Sequence, residues 1–361
     1  MSDYHISRIF ESDKRELKKL DALLQKEGIE RDKNLDYMAG LYDDDYNLAA
    51  AGSCFKNTLR CLAVDSAHQG EGLLNQVVSH LIEYEYQRGI LNLFLYTKCD
   101  KALFFRDLGF YEIARAEGKV VFMENRKSGF SSYLENLKNE TAVQTKGKAP
   151  DNSTDGSVGA VILNANPFTL GHQYLLETAA AACSLLHVFI VSEDASLVPF
   201  SVRYELAVKG AEHLKNVVFH KTGDYMISNA TFPSYFLKDE QTVIRSHAGL
   251  DIAVFEQLAD VLGITTRFVG EEPFSQVTGI YNQVMEERLQ SAGIKCCVIP
   301  RKTEENNGNV ISASTVRKLI QQGDVDDIRK LVPDSTYRYF TSEKAKVIID
   351  KIRAQADVVH Y

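Results

Sequence analysis

No tryptophan occurs among the 361 residues, and no apolar run approaches the ~20 residues that a bilayer-crossing helix needs. The opening stretch, MSDYHISRIFESDKREL, lacks the basic-then-apolar pattern of a secretory leader, so a cytoplasmic location and no membrane partner are expected. Cysteine is sparse. Six residues, at 54, 61, 99, 183, 296 and 297, show no C-x-x-C spacing, which speaks for reduced thiols and against a disulfide frame or a zinc site. The adjacent Cys296 and Cys297 in IKCCVIP read as strand filling. The nine histidines are scattered and suggest no all-protein metal cage. A surplus of basic charge is missing too: 41 Lys and Arg against 49 Asp and Glu leave a net charge of −8. That balance disfavours long nucleic acid as a partner but leaves room for a small phosphate pocket.

What is present is an ordinary globular composition, 45% hydrophobic and 25% charged, in a chain longer than the usual domain of roughly 100–200 residues. Two domains are expected, with a seam at residues 127–156, where KSGFSSYLENLKNETAVQTKGKAPDNSTDG turns polar. The seam reads as a helix near Ser132 to Asn139 followed by a flexible connector.

Residues 1–126 mix helix and strand: a helix with Leu17, Leu20 and Leu24 after a cap at Ser12, strands near Tyr46–Phe55 and Thr58–Val64, and a helix carrying Leu73 to Ile82. A strand LNLFLYT, a short helix KALFFRDLG and two further strands near Phe110 and Val120 complete it. Residues 157–361 alternate strand and helix more regularly, from Val158–Leu163 through LLHVFIVS, VVFH, TTRFVG and CCVIP. Alternation with apolar strands predicts a parallel sheet covered on both faces, with ligands outside the carboxyl ends of its strands.

At one such end lies NANPFTLGHQYLLE, Asn164 to Glu177, between an apolar strand and an Ala-rich helix. A helix starting near Gly171 presents unpaired N–H groups and a partial positive charge, both of which attract an anion. Gly171 lets a ligand approach the backbone, Thr169 supplies a hydroxyl and His172 a ring N–H. Asn164 and Asn166 are further polar candidates in the same turn. Taken alone, T-x-G-H is equally well read as a helix cap with a surface histidine.

In context, VGAVILNANPFTLGHQYLLETAA resembles the first strand, loop and helix of the HxGH nucleotidyltransferase superfamily. About 140 residues on, NVISASTVRKLI resembles that superfamily's I-S-S-T-x-x-R element, with Ser312, Ser314 and Arg317 at the matching places. The resemblance implies a Rossmann-like parallel α/β domain in which both motifs clasp a nucleoside triphosphate. His172 and Thr169 would serve the α-phosphate and Arg317 the outer phosphates, with Ser312 and Ser314 as extra donors. An attacking anion needs no protein nucleophile there, only fixed donors and cations. Where many relatives carry Ser or Thr five residues before the motif threonine, this chain has Asn164.

The same segments, with VPFSVRYELAVKGAEHLKNV and FVGEEPFSQVTGIYNQVM, resemble the citrate lyase ligase family along nearly the whole chain. That family would use ATP, with magnesium, and acetate to form acetyl-AMP and pyrophosphate. It would then acetylate the thiol of the CoA-like prosthetic group on the acyl carrier protein, the gamma subunit, of citrate lyase. Arg203 is a candidate extra cation; Arg301 and Lys302 read more readily as loop charges; Glu271, Thr278, Tyr281 and Asn282 are candidates for the acetate or carrier-arm end.

The first domain resembles the GNAT acetyltransferases: VDSAHQGEGLLNQVVSHL keeps Gln69 and Gly72 of a pyrophosphate loop but has Leu74 where Gly or Ala is expected. It would grip the carrier's arm or serve as scaffold. Two other classes remain open, a nucleotidyltransferase acting on a phosphate monoester and a GNAT acyltransferase with a nucleotide-sensing domain.

Overall fold

The structure, a computed structural model, describes residues 4–116, 118–146, 156–226, 232, 233, 235, 237, 239–271, 276–304 and 308–356, and only the backbone of 276–278. The expected connector after the seam helix falls largely outside the described residues. The chain divides into two compact units, Met1–Tyr133 with Thr231–Ala253, and Leu134–Ala230 with Val254–Tyr361.

In the first unit, β1 (His5–Ile9), β2 (Tyr37–Tyr42), β3 (Leu48–Phe55), β4 (Thr58–Val64), β5 (Phe94–Lys98), β6 (Tyr111–Ala116) and β7 (Val120–Glu124) form one sheet of order β1-β2-β3-β4-β5-β7-β6. Its pairs are antiparallel except β4 with β5, which are parallel and joined through only two residue pairs, Thr58 with Phe94 and Leu59 with Leu95. Helices α1 (Lys14–Lys26), α2 (Leu73–Gln87) and α3 (Ala102–Asp107) accompany it. Leu20, Leu23 and Leu24 bury the apolar stripe of α1, and its cap is Asp13 rather than Ser12, with the carboxylate accepting from the N–H groups of Arg15 and Glu16. Beyond the point where β4 and β5 part, the ring of Phe232 meets Tyr96 edge-on at 5.7 Å, and Tyr235 packs against the cluster holding Cys61 and Ala63. These contacts tie part of the later chain to this unit.

In the second unit, α4 (Gly129–Thr145), whose residues from Leu134 onward belong here, runs further than the sequence suggests. Strands β8 (Val158–Leu163), β9 (Leu185–Ile190), β10 (Val217–Lys221), β11 (Thr266–Gly270) and β12 (Lys295–Ile299) form an all-parallel sheet of order β10-β9-β8-β11-β12. Between and after them come α5 (Leu170–Ala181), α6 (Phe200–Gly210), the end of α7 (Glu240–Leu262), whose residues up to Ala253 belong to the first unit, α8 (Gln276–Ser291), α9 (Ala313–Gln322), α10 (Asp334–Phe340) and α11 (Lys346–Arg353). The chain winds from β8 to one side, then crosses to the other, so the carboxyl end of β8 is the switch point where such sheets open a crevice.

Buried Val161, Leu163, Val188 and Ile190 pack under Leu175, Leu176 and Leu206, while α9 to α11 close a separate cluster around Ile320, Ile328, Phe340 and Ile352. The edge strand β10 is capped by α4. The Gln144 side-chain amide takes both the N–H and the carbonyl of Phe219, at 3.0 and 2.9 Å. Glu140 meets His220 at 2.9 Å, and His220 meets the equally buried His187 at 2.9 Å. Among the described residues, no helix is long and apolar enough to cross a membrane.

Candidate functional site

A cavity of about 700 Å³ opens at the carboxyl end of β8. Asn164, Asn166, Thr169, Gly171 and His172 line it from the β8–α5 turn, and Ser312, Ser314 and Arg317 from the start of α9. The two motifs, far apart in sequence, thus share one wall.

Thr169 caps α5, and the cap is reciprocal: its hydroxyl accepts from the His172 N–H at 3.3 Å, while its own N–H donates to His172 Nδ1 at 3.0 Å. Since a backbone N–H can only donate, Nδ1 is the accepting nitrogen and the ring proton sits on Nε2. A second proton on the ring would oppose the Thr169 N–H. Burial, with the nearby Arg301 charge, acts in the same direction and pushes the His172 pKa down to about 4. Although the ring keeps some exposure to the cavity, a neutral Nε2–H donor is the form present at neutral pH.

Gly171 has a reason to be glycine that the sequence did not reveal. A Cβ there would stand 2.9 Å from the Ile311 carbonyl oxygen, so the first turn of α5 is seated against the chain leading into α9. Both helix N-termini therefore face the same space. The Leu170 N–H is taken by the Leu331 carbonyl at 2.9 Å, and Ser312 caps α9 by accepting from the Thr315 N–H at 3.1 Å. The N–H groups of Gly171 and Ala313, both residues of the cavity wall, have no partner among the described residues. Such paired helix starts favour an anion.

Arg317 is buried and donates to the Asn166 carbonyl and, at 3.3 Å, to Ser314 Oγ, which binds α9 to the β8–α5 turn. Asn166, also buried, precedes a cis proline and accepts the Val198 N–H on Oδ1 at 3.0 Å. Arg203 is not brought to the cavity wall: it is fully buried, and its donors reach the carbonyls of Asn164, Val191, Glu193 and Val198 and the Asn164 side chain.

By contrast, Arg301 and Lys302 do line the cavity. Arg301 Nε donates to the Glu271 carbonyl at 2.5 Å and Lys302 Nζ lies 5.8 Å from the centre of the Tyr174 ring. Glu271, Tyr281 and Asn282 also line it; the side chain of Thr278 is outside the described part.

Arg267, which the sequence reading missed, also lines the cavity and stacks 4.5 Å over Phe255. An arginine inside the apolar strand TTRFVG was the available signal. The charged residues described along the wall are Arg267, Arg301, Lys302 and Arg317 against the single carboxylate of Glu271. In a chain of net charge −8 this concentration of cations is electrostatically suited to an anion of several charges. Among the described residues, no three His, Cys, Asp or Glu side chains are grouped to hold a metal ion.

In the first unit, Gly70 and Gly72 precede α2 with positive φ of 91° and 75°, and Leu74 packs against the unit's core.

The profile of the citrate lyase ligase C-terminal domain matches residues 158–340. A [citrate [pro-3S]-lyase] ligase of Haemophilus influenzae is 34% identical over 91% of this chain and 96% of its own length. The Escherichia coli protein of the same name is 35% identical over 92% of each chain, and that of Klebsiella pneumoniae 37% identical over 84% of this chain and 86% of its own. Among solved structures, the ribosomal-protein-S18-alanine N-acetyltransferase of Escherichia coli aligns with 34% of this chain and 92% of its own, at 20% identity and a TM-score of 0.28.

Proposed function

The chain belongs to the citrate lyase ligase family, and from that premise we propose that it activates acetate with ATP and passes the acetyl group to the thiol of a carrier protein's CoA-like arm. The enzyme is an acid–thiol ligase. The cavity at the end of β8 is read as the adenylation site. The observation that carries this reading is the gathering of two helix N-termini and four cationic side chains around one space, with Glu271 the one carboxylate among the described lining residues.

In the first step an acetate oxygen bonds to the α-phosphorus while the bond to the bridging oxygen of pyrophosphate breaks, giving acetyl-AMP. Charge moves onto the non-bridging α-oxygens and the leaving group, so fixed donors lower the barrier most. The neutral Nε2–H of His172 and the Gly171 N–H serve the α-phosphate; Arg317, Arg301, Lys302 and the start of α9 serve the outer phosphates. Thr169 holds the histidine ring. Magnesium arrives with the triphosphate as its counter-ion. In the second step the carrier thiolate attacks the acetyl carbonyl, AMP leaves with the bonding pair, and the thioester forms.

The first unit is assigned to the carrier's arm, a reading supported by the Gly70 and Gly72 turn at the start of α2. Gly72→Asp with unchanged carrier affinity would remove that assignment. A cytoplasmic setting, where ATP is at hand and thiols stay reduced, agrees with six cysteines that are all thiols.

The decisive assay is ATP–pyrophosphate exchange. Stimulation by acetate is expected; stimulation by a phosphate monoester instead would turn the reading towards a nucleotidyltransferase.

A further inference from the structure

Asn164 is the first residue after β8 and borders the cavity. A carboxamide has an accepting end and a donating end, and only the donating end suits an anion. Its neighbours decide which end faces which way. Arg203 has donors only, and its Nη1 lies 3.0 Å from Asn164 Oδ1 and 2.8 Å from the Asn164 carbonyl. The other guanidinium contacts, to the carbonyls of Val191 at 2.8 Å, Glu193 at 2.7 Å and Val198 at 2.9 Å, hold it inside the loop between β9 and α6. It has no freedom to swing towards a ligand. Ser196 Oγ sits beside the same amide, 3.1 Å from Nδ2 and 3.2 Å from Oδ1. With Oδ1 committed to Arg203, Nδ2 is the other end. One of its hydrogens reaches Ser196, and the second has no partner among the described residues.

We propose that Arg203 is a positioning residue: by holding Asn164 Oδ1 it fixes the amide so that an N–H of Nδ2 is offered to an anionic oxygen at the reacting centre. That oxygen belongs to the α-phosphate or to the attacking carboxylate. A flipped amide would set a carbonyl dipole against the same charge. The inference rests on the adenylation reading above and adds to it how an asparagine replaces the hydroxyl expected at this place. Arg203 thereby acts through Asn164, whereas the sequence suggested direct contact with phosphate.

The test uses the full-length enzyme, acetate-dependent ATP–pyrophosphate exchange and a thermal melt of each variant. Asn164→Asp keeps size and the oxygen facing Arg203 but turns the donor into a second carboxylate oxygen. Its kcat/KM is expected to fall about 100-fold with no loss of melting temperature. Asn164→Ala should lose roughly tenfold, and Asn164→Ser should retain most activity because the hydroxyl can donate. A raised KM for acetate identifies the carboxylate as the partner, and a raised KM for ATP the phosphate; either supports the proposal.

Arg203→Lys combined with Asn164→Ala should cost no more in kcat/KM than Asn164→Ala alone, since the arginine works through that amide. Additive losses, or Asn164→Asp no worse than Asn164→Ala, overturn the proposal. If the lysine variant does not fold, the Asn164 series decides by itself. A wild-type enzyme without acetate-dependent exchange sinks the adenylation reading and this inference with it; normal wild-type exchange with the wrong order of variants sinks the inference alone.

Discussion

Two glycines stand at the starts of two helices, Gly72 before α2 and Gly171 in the first turn of α5, and the sequence invites the same explanation for both. The structure separates them. Gly72 has φ of 75° and open space where a Cβ would point, so the requirement is one of backbone conformation. Gly171 has no such φ but lacks room, because the Ile311 carbonyl occupies the place of its side chain. One glycine shapes a turn, and the other lets two distant motifs touch. A glycine before a helix therefore says little until its φ and its neighbours are known.

The largest expected effect tests whether the α5 start is the reactive one. His172→Ala should lower acetate-dependent exchange by about 10²–10³-fold while the protein stays folded; near-normal exchange would remove the distinction between the two helix starts. Next, Gly171→Ala should force α5 and the chain before α9 apart and cost up to about 10²-fold in exchange, read from kcat/KM, since small misplacements at a reacting centre are that costly.

An acid titration gives the third. His187 and His220 are buried and neutral in the fold, with pKa values pushed down to about 3 and about 4 by burial and, for His187, by its neighbour as well. Their unfolded values lie near 6.5, so the unfolded chain takes up protons first. Stability is whole above about pH 6.5 and declines as pH falls towards 4, by about 1.4 kcal/mol per pH unit for each proton. Denaturant melts at pH 7.5 and 5 would show it, and a flat profile would refute it. In the same range the exchange rate of folded enzyme should show no inflection from His172, which is neutral down to about 4. Smallest is Gly72→Ala, expected to cost about 1 kcal/mol of stability for placing a side chain at positive φ, with acetate-dependent exchange unchanged.

Much of the second unit could be read in the chain because its strands are apolar and the helices α5 and α9 begin at the recognisable caps Thr169 and Ser312; the T-x-G-H and S-x-S-T-x-R elements do meet in one cavity wall. The first unit hid β1 and β2. HISRI in β1 pairs along a sheet edge with little alternation, and YMAGLY in β2 is buried on both faces, so no period of two appears. Asp13 displaced Ser12 as the cap of α1 because two adjacent capping residues look alike in sequence and only backbone geometry chooses between them. Arg203, read from the sequence as a candidate extra cation, is instead turned inward, because the backbone carbonyls that take its donors come from a loop whose path no local pattern reveals.

The amide of Gln144, laid along β10 like a borrowed strand, bears on any attempt to cut the protein in two. A fragment starting at Val158, where the family profile begins, would strip that border of its seal. Bare peptide groups would then invite neighbouring copies to zip on, and His220 would lose its carboxylate. A soluble fragment should therefore begin upstream of Glu140.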